Sequence, residues 1–309
     1  WSTSTWNTSR EGLTGGEGVL LQSAKWALDN WGEDVLALQF DGGLFYWDTS
    51  DGLTSLATTT EVSGAPTKSR FMIVSGDDRH VICLGTETTI GQTATQDNMF
   101  IRWSDQESTN DWTPTATNTA GSFRLTDGNQ INTAVRSRGA VMIWTDTALY
   151  QMQFIGAPLT FGFKQIGSNC GAVGINAAVD VSGNSFWMSN DSFFIYDGAV
   201  KKLPCTVQDY VFDDINKNAQ QDVFCAANSN YNEVMWFYAS ANSDQIDRMV
   251  TYNYAENLWY VGTLARTSWS DYGVYPVPYA TQFKSTDTTA TISTITGLKA
   301  GRTFVFLHE

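Results

Sequence analysis

The sequence predicts an all-β protein, a β-propeller of four-stranded blades with little helix. Three observations predict it. Short segments rich in Val, Ile, Phe, Tyr and Trp recur along the chain. Turns of Gly, Asn and Asp, which tolerate positive φ, separate them. A hairpin pattern also repeats at about the length of one propeller blade.

The repeat consists of an apolar strand, a polar or glycine turn, and a more strongly apolar strand. The second strands centre near residues 37, 82, 142, 186 and 235, so their spacings are 45, 60, 44 and 49 residues. One longer insertion therefore lies between the second and third units. The five hairpins span 26–40, 71–86, 131–145, 175–189 and 222–239.

A third strand follows each hairpin, usually after a short turn such as Asp41-Gly42-Gly43. The predicted third strands are Leu44–Asp48, Met99–Ser104, Ala148–Phe154, Phe193–Asp197 and Met249–Tyr254. Fourth strands are predicted after the turns Asp51-Gly52, Asp197-Gly198 and Glu256-Asn257. The one plausible helical stretch covers 207–221.

The remaining chain predicts a sixth blade, and the whole chain 1–309 is interpreted as a single propeller domain. Five blades account for 26–262. The tail 263–309, with N-terminal residues such as Gly18–Leu21, is expected to form the closing blade or an arm. Closure is expected because an open array leaves an exposed strand edge. The chain opens at Trp1 without a methionine, so truncation at one or both ends is expected.

Four tryptophans recur once per blade: Trp103, Trp144, Trp187 and Trp236. One interpretation is a stripe on which sugars stack. The interpretation we favour is that each tryptophan fills the space between neighbouring blades, since these large rings bury well in such gaps.

Charge and cysteine content narrow the functional classes. The chain has 18 basic and 32 acidic residues, a net charge of −14, which disfavours binding to nucleic-acid phosphates. The four cysteines are widely spaced and predict buried thiols in a reducing compartment, not a zinc site. No apolar run is long enough to span a membrane as a helix.

The search for catalytic motifs predicts no enzyme, no cofactor and no metal. Only His80 and His308 are available for a histidine relay. The stretch from Asp214 to Asn218 begins like a calcium loop, but Cys225 stands where a bidentate glutamate is needed. Acidic pairs (Asp77-Asp78, Asp105 with Glu107, Asp213-Asp214) and arginines (Arg102, Arg124, Arg136, Arg138) fall in or near predicted turns, without a recognisable glycosidase arrangement.

Several stretches are similar to a family of tailed-phage structural proteins. They are 102–125 (RWSDQESTNDWTPTATNTAGSFRL), 141–156, 168–179 (SNCGAVGINAAV), 192–198, 203–216 and 252–267 (YNYAENLWYVGTLART). The similarity as a whole covers most of residues 26–309. They resemble the tail nozzle, or tubular tail protein B, of short-tailed phages.

This resemblance implies a propeller platform repeated in a hexameric ring around the tail axis, forming the distal tube through which DNA leaves. It implies partners among other tail proteins (adaptor, fibres or spikes), location in the virion tail after assembly in the host cytoplasm, and no catalytic residues. DNA would pass without specific binding. Candidate contact segments are Thr86–Asp97, Thr113–Ser122 and Ser285–Thr296. The family runs on past Leu307-His308-Glu309, which again indicates truncation.

Two further hypotheses stay open at the sequence level. One is a glycan-binding or glycan-cleaving propeller that recognises a host receptor. It predicts aromatic and carboxylate side chains converging on the central mouth of the propeller. The other is a cellular interaction module, which predicts a compact monomer. Fold alone does not choose among these functions.

Overall fold

The computed structural model describes residues 25–76, 78–271, 273, 276–284 and 302–308. Six antiparallel sheets follow one another along the chain and form the blades of a six-bladed β-propeller. Within each blade the strands pair in sequence order, as up-and-down meanders. The predicted fold class is therefore confirmed.

The first three blades are built from strands β1 to β11. Blade 1 contains β1 (Trp26–Trp31), β2 (Asp34–Gln39) and β3 (Leu44–Trp47). Blade 2 contains β4 (Phe71–Val74), β5 (Val81–Leu84), β6 (Phe100–Trp103) and β7 (Gly121–Arg124). Blade 3 contains β8 (Ile131–Ser137), β9 (Ala140–Thr145), β10 (Ala148–Gly156) and β11 (Thr160–Ser168).

The last three blades follow the same plan. Blade 4 contains β12 (Ala178–Val181), β13 (Asn184–Met188), β14 (Phe193–Tyr196) and β15 (Val200–Lys202). Helix α1 (Gln208–Asp214) leads to blade 5, with β16 (Phe224–Asn228), β17 (Glu233–Tyr238), β18 (Arg248–Asn253) and β19 (Leu258–Gly262). Blade 6 contains β20 (Ser268–Ser270), β21 (Tyr279–Lys284) and β22 (Arg302–Leu307).

All five predicted hairpins and third strands coincide with observed strands, and the tail supplies the predicted sixth sheet. The helix predicted within 207–221 is confirmed as α1. The N-terminal residues predicted to complete blade 6 (Gly18–Leu21) and the segment Ser285–Thr296 lie outside the described residues.

The prediction of a fourth strand directly after Asp51-Gly52 was wrong. The Asp34 carboxylate accepts hydrogen bonds from the Tyr46 hydroxyl at 2.6 Å and from Thr49 N at 3.0 Å, which hold the chain in a turn. Leu53 is consequently 91% exposed. The chain reaches the fourth-strand position only at Thr58, through an isolated bridge to Tyr46.

The core lies between blades, not inside them. Each cluster of buried apolar side chains combines residues of two neighbouring blades: 1 with 2, 2 with 3, 3 with 4, 4 with 5, and 5 with 6. A strand covered on both sheet faces needs apolar side chains on both, and β9 (AVMIWT) is buried along its whole length. Packing of each sheet against the next one therefore stabilises the ring.

Polar side chains link blades that are not adjacent in sequence order. Arg136 of blade 3 donates to the Asp29 carboxylate of blade 1 at 2.5 Å and to the Val74 carbonyl of blade 2 at 2.7 Å. Lys25 reaches Asp222, just before blade 5, at 2.7 Å. The innermost strands β1, β4, β8, β12, β16 and β20 contact one another in succession.

Candidate functional site

A cavity of about 340 Å³ opens where the first hairpin turns of blades 2, 3 and 4 meet. Blade 2 contributes Asp78, blade 3 contributes Arg138, and blade 4 contributes Asp180. The second hairpin of blade 3, β10–β11, supplies the apolar wall with Phe154 and Phe161. First hairpin turns meet on one face of the ring because every blade's innermost strand runs in the same direction.

A buried histidine network forms the wall behind Asp78. His80 Nδ1 lies 3.0 Å from Asp78 Oδ2, and His80 Nε2 lies 3.1 Å from Thr119 Oγ1. Thr119 Oγ1 in turn donates to Asp105 Oδ1 at 2.6 Å. The His80 side chain is fully buried, and its ring contacts Phe154 and Phe161 at centroid distances of 5.7 and 5.0 Å.

Both carboxyl groups of this network are held in the ionised form. Burial raises the pKa of Asp78, but hydrogen bonds from His80 and Ser75 outweigh it, so the net pKa lies below its usual value. Burial also raises the pKa of Asp105, and hydrogen bonds from Thr119 and Gln106 reverse the effect and lower it. His80 thus contacts the Asp78 carboxylate directly and is linked to the Asp105 carboxylate through the Thr119 hydroxyl.

The network resembles an acid–histidine–hydroxyl relay in its order of groups, but its geometry is that of a structural cluster. The Thr119 hydroxyl already donates to Asp105 and accepts from the backbone N–H of Gln106 at 3.0 Å. A hydroxyl has one proton to donate. With His80 buried and this proton directed to Asp105, the Thr119 hydroxyl has no proton left to give to His80.

The structure separates the four candidate arginines into two groups. Arg136 and Arg138 line the cavity. Arg102 is buried and donates to the Thr88 carbonyl, while Arg124 pairs with Asp97 at 2.6 Å. An arginine triad is therefore not formed by these residues. The acidic pair at 77–78 is more than a surface turn, because Asp78 enters the buried network; Asp77 lies outside the described residues.

The calcium-like stretch does not form a metal site in the part of the chain that is described. Asp214 ends α1 and lies 3.5 Å from Arg248, while Ile215 is buried and Cys225 lies within β16. Among the described residues no three His, Cys, Asp or Glu side chains are grouped so as to hold a metal ion. Likewise, no described helix is long and apolar enough to cross a membrane.

The four repeated tryptophans are buried between blades, as favoured from the sequence. Trp144 and Trp187 face each other across blades 3 and 4 at 5.3 Å. Trp187 Nε1 donates to the Cys170 carbonyl at 2.7 Å, and Trp236 Nε1 donates to the Ala177 carbonyl of the preceding blade at 3.3 Å. Because all four tryptophans are buried, they do not form an exposed stripe on which sugars could stack.

The four cysteines are free thiols, and burial raises the pKa of Cys170 to about 11.

Among the exposed apolar side chains of the described residues, two groups lie on the outer strands and hairpins of four-stranded blades. The first, the hairpin tip, consists of Ile155 and Leu159 at the end of the nine-residue strands β10 and β11, which are 54% and 68% exposed. The second, the β19 edge, consists of Leu258, Tyr260 and Val261. In the other four-stranded blades the outermost strand carries Arg or Lys, whereas β19 has no charged residue. Edge strands without charges favour pairing with another chain.

The stretches that carry the phage-family resemblance have architectural roles. A Cβ atom at Gly121 would lie 2.4 Å from the Trp103 ring, and one at Gly171 would lie 2.2 Å from the Asp146 backbone. Loop 104–120 is anchored by buried Trp112 and by hydrogen bonds from Ser63 and Gly64 to Asn110. The segments Thr86–Asp97 and Thr113–Ser122 fold back on their own chain through bonds such as Thr88 N to the Thr95 carbonyl.

Comparisons with known proteins bear on the fold of the chain and not on its activity. No family model and no curated protein sequence matches the chain. The structure is similar to the extracellular domain of the one-component system BT4673 from B. thetaiotaomicron, with a TM-score of 0.50 and 10% identity, over 83% of this chain and 30% of that one.

Two further similar structures are a Synechocystis apocarotenoid oxygenase mutant and apo AztD from Citrobacter koseri. Their TM-scores are 0.40 and 0.44, their identities 11% and 8%, and they match 78% and 84% of this chain. The chain spans 59% and 65% of their lengths. At such low identity the comparisons leave the function of this chain to its own residues.

Proposed function

We propose that the chain is a structural component of a phage virion tail, a propeller platform repeated in a ring at the distal end. The observation that carries the proposal is the pair of different exposed apolar surfaces, the hairpin tip on blade 3 and the β19 edge on blade 5. A ring requires heterologous contacts, in which one patch on each subunit meets a different patch on its neighbour.

The resemblance of the sequence to the nozzle family is the reason for proposing a phage tail as the assembly. In this proposal the partners are further copies of the chain and neighbouring tail proteins, and the location is the virion. The architectural roles of Gly121 and Gly171 support this interpretation, because the resembling stretches then specify a shared framework. No catalytic step is proposed; in the buried network the Thr119 hydroxyl donates its proton to Asp105.

The DNA conduit in this proposal is the axis of the subunit ring. Within one propeller, Arg136 links blades 1, 2 and 3 through Asp29 and the Val74 carbonyl. A net charge of −14 would keep passing DNA from adhering to the surrounding surface.

The test is the oligomeric state of the purified chain by sedimentation. We expect a hexamer for the wild type and a monomer for the double variant Ile155→Asp with Leu159→Asp, because buried unpaired charges disrupt an apolar contact. The matched control is Leu53→Asp, which places the same charge on an exposed leucine of blade 1 and should leave the ring intact.

Particle location is the second readout. Antibody against the chain should label the tail tip of purified virions. A wild type that stays monomeric at every concentration and is absent from particles contradicts the proposal.

A further inference from the structure

The cavity at the turns of blades 2–4 has the dimensions and the lining of a small-molecule site. Its volume, about 340 Å³, lies at the lower end of the range typical of ligand pockets. Three blades contribute to it, so its walls are held by the packing of neighbouring sheets and not by one loop. The β10–β11 hairpin carries both its apolar wall and the hairpin tip, but neither Ile155 and Leu159 nor the residues of the β19 edge line the cavity.

One wall is apolar, and its two phenylalanine rings stand nearly perpendicular to each other, at 74°. Phe161 is buried and packs edge-on against His80 at 5.0 Å and against Trp103 at 5.3 Å. Phe154 meets Phe161 at 5.7 Å and remains partly exposed, and Met152 completes the wall. Such a wall accepts the C–H face of a ring-shaped ligand and excludes water from it.

The polar walls carry the oppositely charged side chains of Asp78 and Arg138. Each is held by hydrogen bonds and keeps one polar atom that bonds no other described residue. Asp78 Oδ2 accepts from Ser75 at 2.7 Å and faces His80, while its Oδ1 bonds no other described residue. Arg138 donates through Nε to the Gly183 carbonyl at 2.5 Å and through Nη2 to Asn184 at 3.0 Å. Its Nη1 makes no hydrogen bond to a described residue. The cavity thus presents one pre-positioned acceptor and one pre-positioned donor.

The charged side chains that line the cavity favour a ligand without net charge. Two carboxylates, Asp78 and Asp180, and two guanidinium groups, Arg136 and Arg138, line the cavity, so their charges cancel. The chain as a whole carries −14, which repels phosphorylated or otherwise anionic ligands at long range. A ligand that both donates and accepts hydrogen bonds and has an apolar face satisfies these walls.

We propose that this cavity binds a neutral saccharide unit. Hydroxyl groups of one sugar ring donate to Asp78 Oδ1 and accept from Arg138 Nη1, while its C–H face lies on the partly exposed ring of Phe154. The cavity recognises the sugar and does not cleave it. This assigns the molecule a glycan-recognition site alongside its structural surfaces.

The experiment is saturation-transfer NMR on the full chain with glucose, galactose, mannose and their N-acetyl derivatives, followed by calorimetric titration of the best of these probes. We expect millimolar or tighter binding by the wild type. Arg138→Gln removes the free donor and should weaken binding about tenfold or more, the effect of losing a hydrogen bond to a charged group. Arg124→Gln makes the same substitution on β7, away from the cavity, and should bind as the wild type does.

A second probe tests the selectivity for neutral ligands. Glucose 6-phosphate should bind more weakly than glucose, and more so at low salt. The proposal is overturned if none of the neutral sugars transfers saturation, if Arg138→Gln binds unchanged, or if the phosphorylated sugar binds more tightly. Because the readout is sugar binding, it is independent of whether the chain forms rings.

Discussion

His80 is oriented by contacts at both ring nitrogens, with Asp78 on one side and Thr119 on the other. Its ring is also held by Phe154 and Phe161. A buried polar side chain is tolerated when its groups are paired, and here the pairing links the first turn of blade 2 to its long loop 104–120. The position of Asp78 at the cavity follows from this anchoring.

Acid should weaken this network. The folded-state pKa values of Asp78 and Asp105 lie below their usual values, so both groups stabilise the fold fully above about pH 4. That stability is lost as the pH falls through the lowered pKa values, when the carboxylates become protonated. We expect Asp105→Asn to flatten the dependence of the free energy of unfolding on pH below about pH 4.

Denaturant unfolding at a series of pH values measures this effect. Asp51→Asn is the control, because Asp51 lies in the exposed turn that ends at Gly52 of blade 1 and is not part of the network. An equal pH dependence in the wild type and Asp105→Asn would show that the network does not contribute.

At the scale of the structural elements, the contact between blades is the repeating unit of stability. Trp144 and Trp187 meet between blades 3 and 4 within a cluster that also contains Leu149 and Cys170. Trp187 is fully buried and donates a hydrogen bond to the Cys170 carbonyl. Its side chain therefore contributes burial and satisfies a backbone acceptor in the link between the two blades.

Trp187→Ala should lower the free energy of unfolding by about 3–5 kcal/mol, the range for deleting a buried large aromatic side chain. Chemical denaturation measures the loss. Tyr231→Ala, at a residue that is 57% exposed in the first turn of blade 5, should cost far less. Similar losses for the two variants would contradict the assignment of stability to the blade interface.

At the scale of the whole molecule, net charge and apolar surface act in opposite directions. A charge of −14 on each copy opposes self-association, while the hairpin tip and the β19 edge favour it. Salt shortens the range of the repulsion and leaves apolar contacts intact.

The proposed ring should therefore form more readily as ionic strength rises. Sedimentation at about 0.01 M and 1 M salt, where the Debye length falls from about 30 to about 3 Å, measures this dependence. Dissociation at high salt would indicate contacts made by ion pairs and would contradict an apolar interface.

The sequence by itself determined the propeller. The 44- to 60-residue spacing of strand centres, the turn glycines and asparagines, and the blade-interface tryptophans all depend on local pattern, which the chain carries from blade to blade. Where one side-chain contact overrode the pattern, as Asp34 does beside Tyr46 and Thr49, the predicted strand after Asp51-Gly52 was displaced.

Only the tertiary structure decided the candidate site. Asp78, Arg138 and Asp180 lie on three different blades, and Thr119 is 39 residues from the histidine it contacts. Local pattern carries no information about which turns converge, because convergence is set by how sheets stack around the ring. That stacking also decided that Arg136 and Arg138 reach the cavity while Arg102 and Arg124 do not.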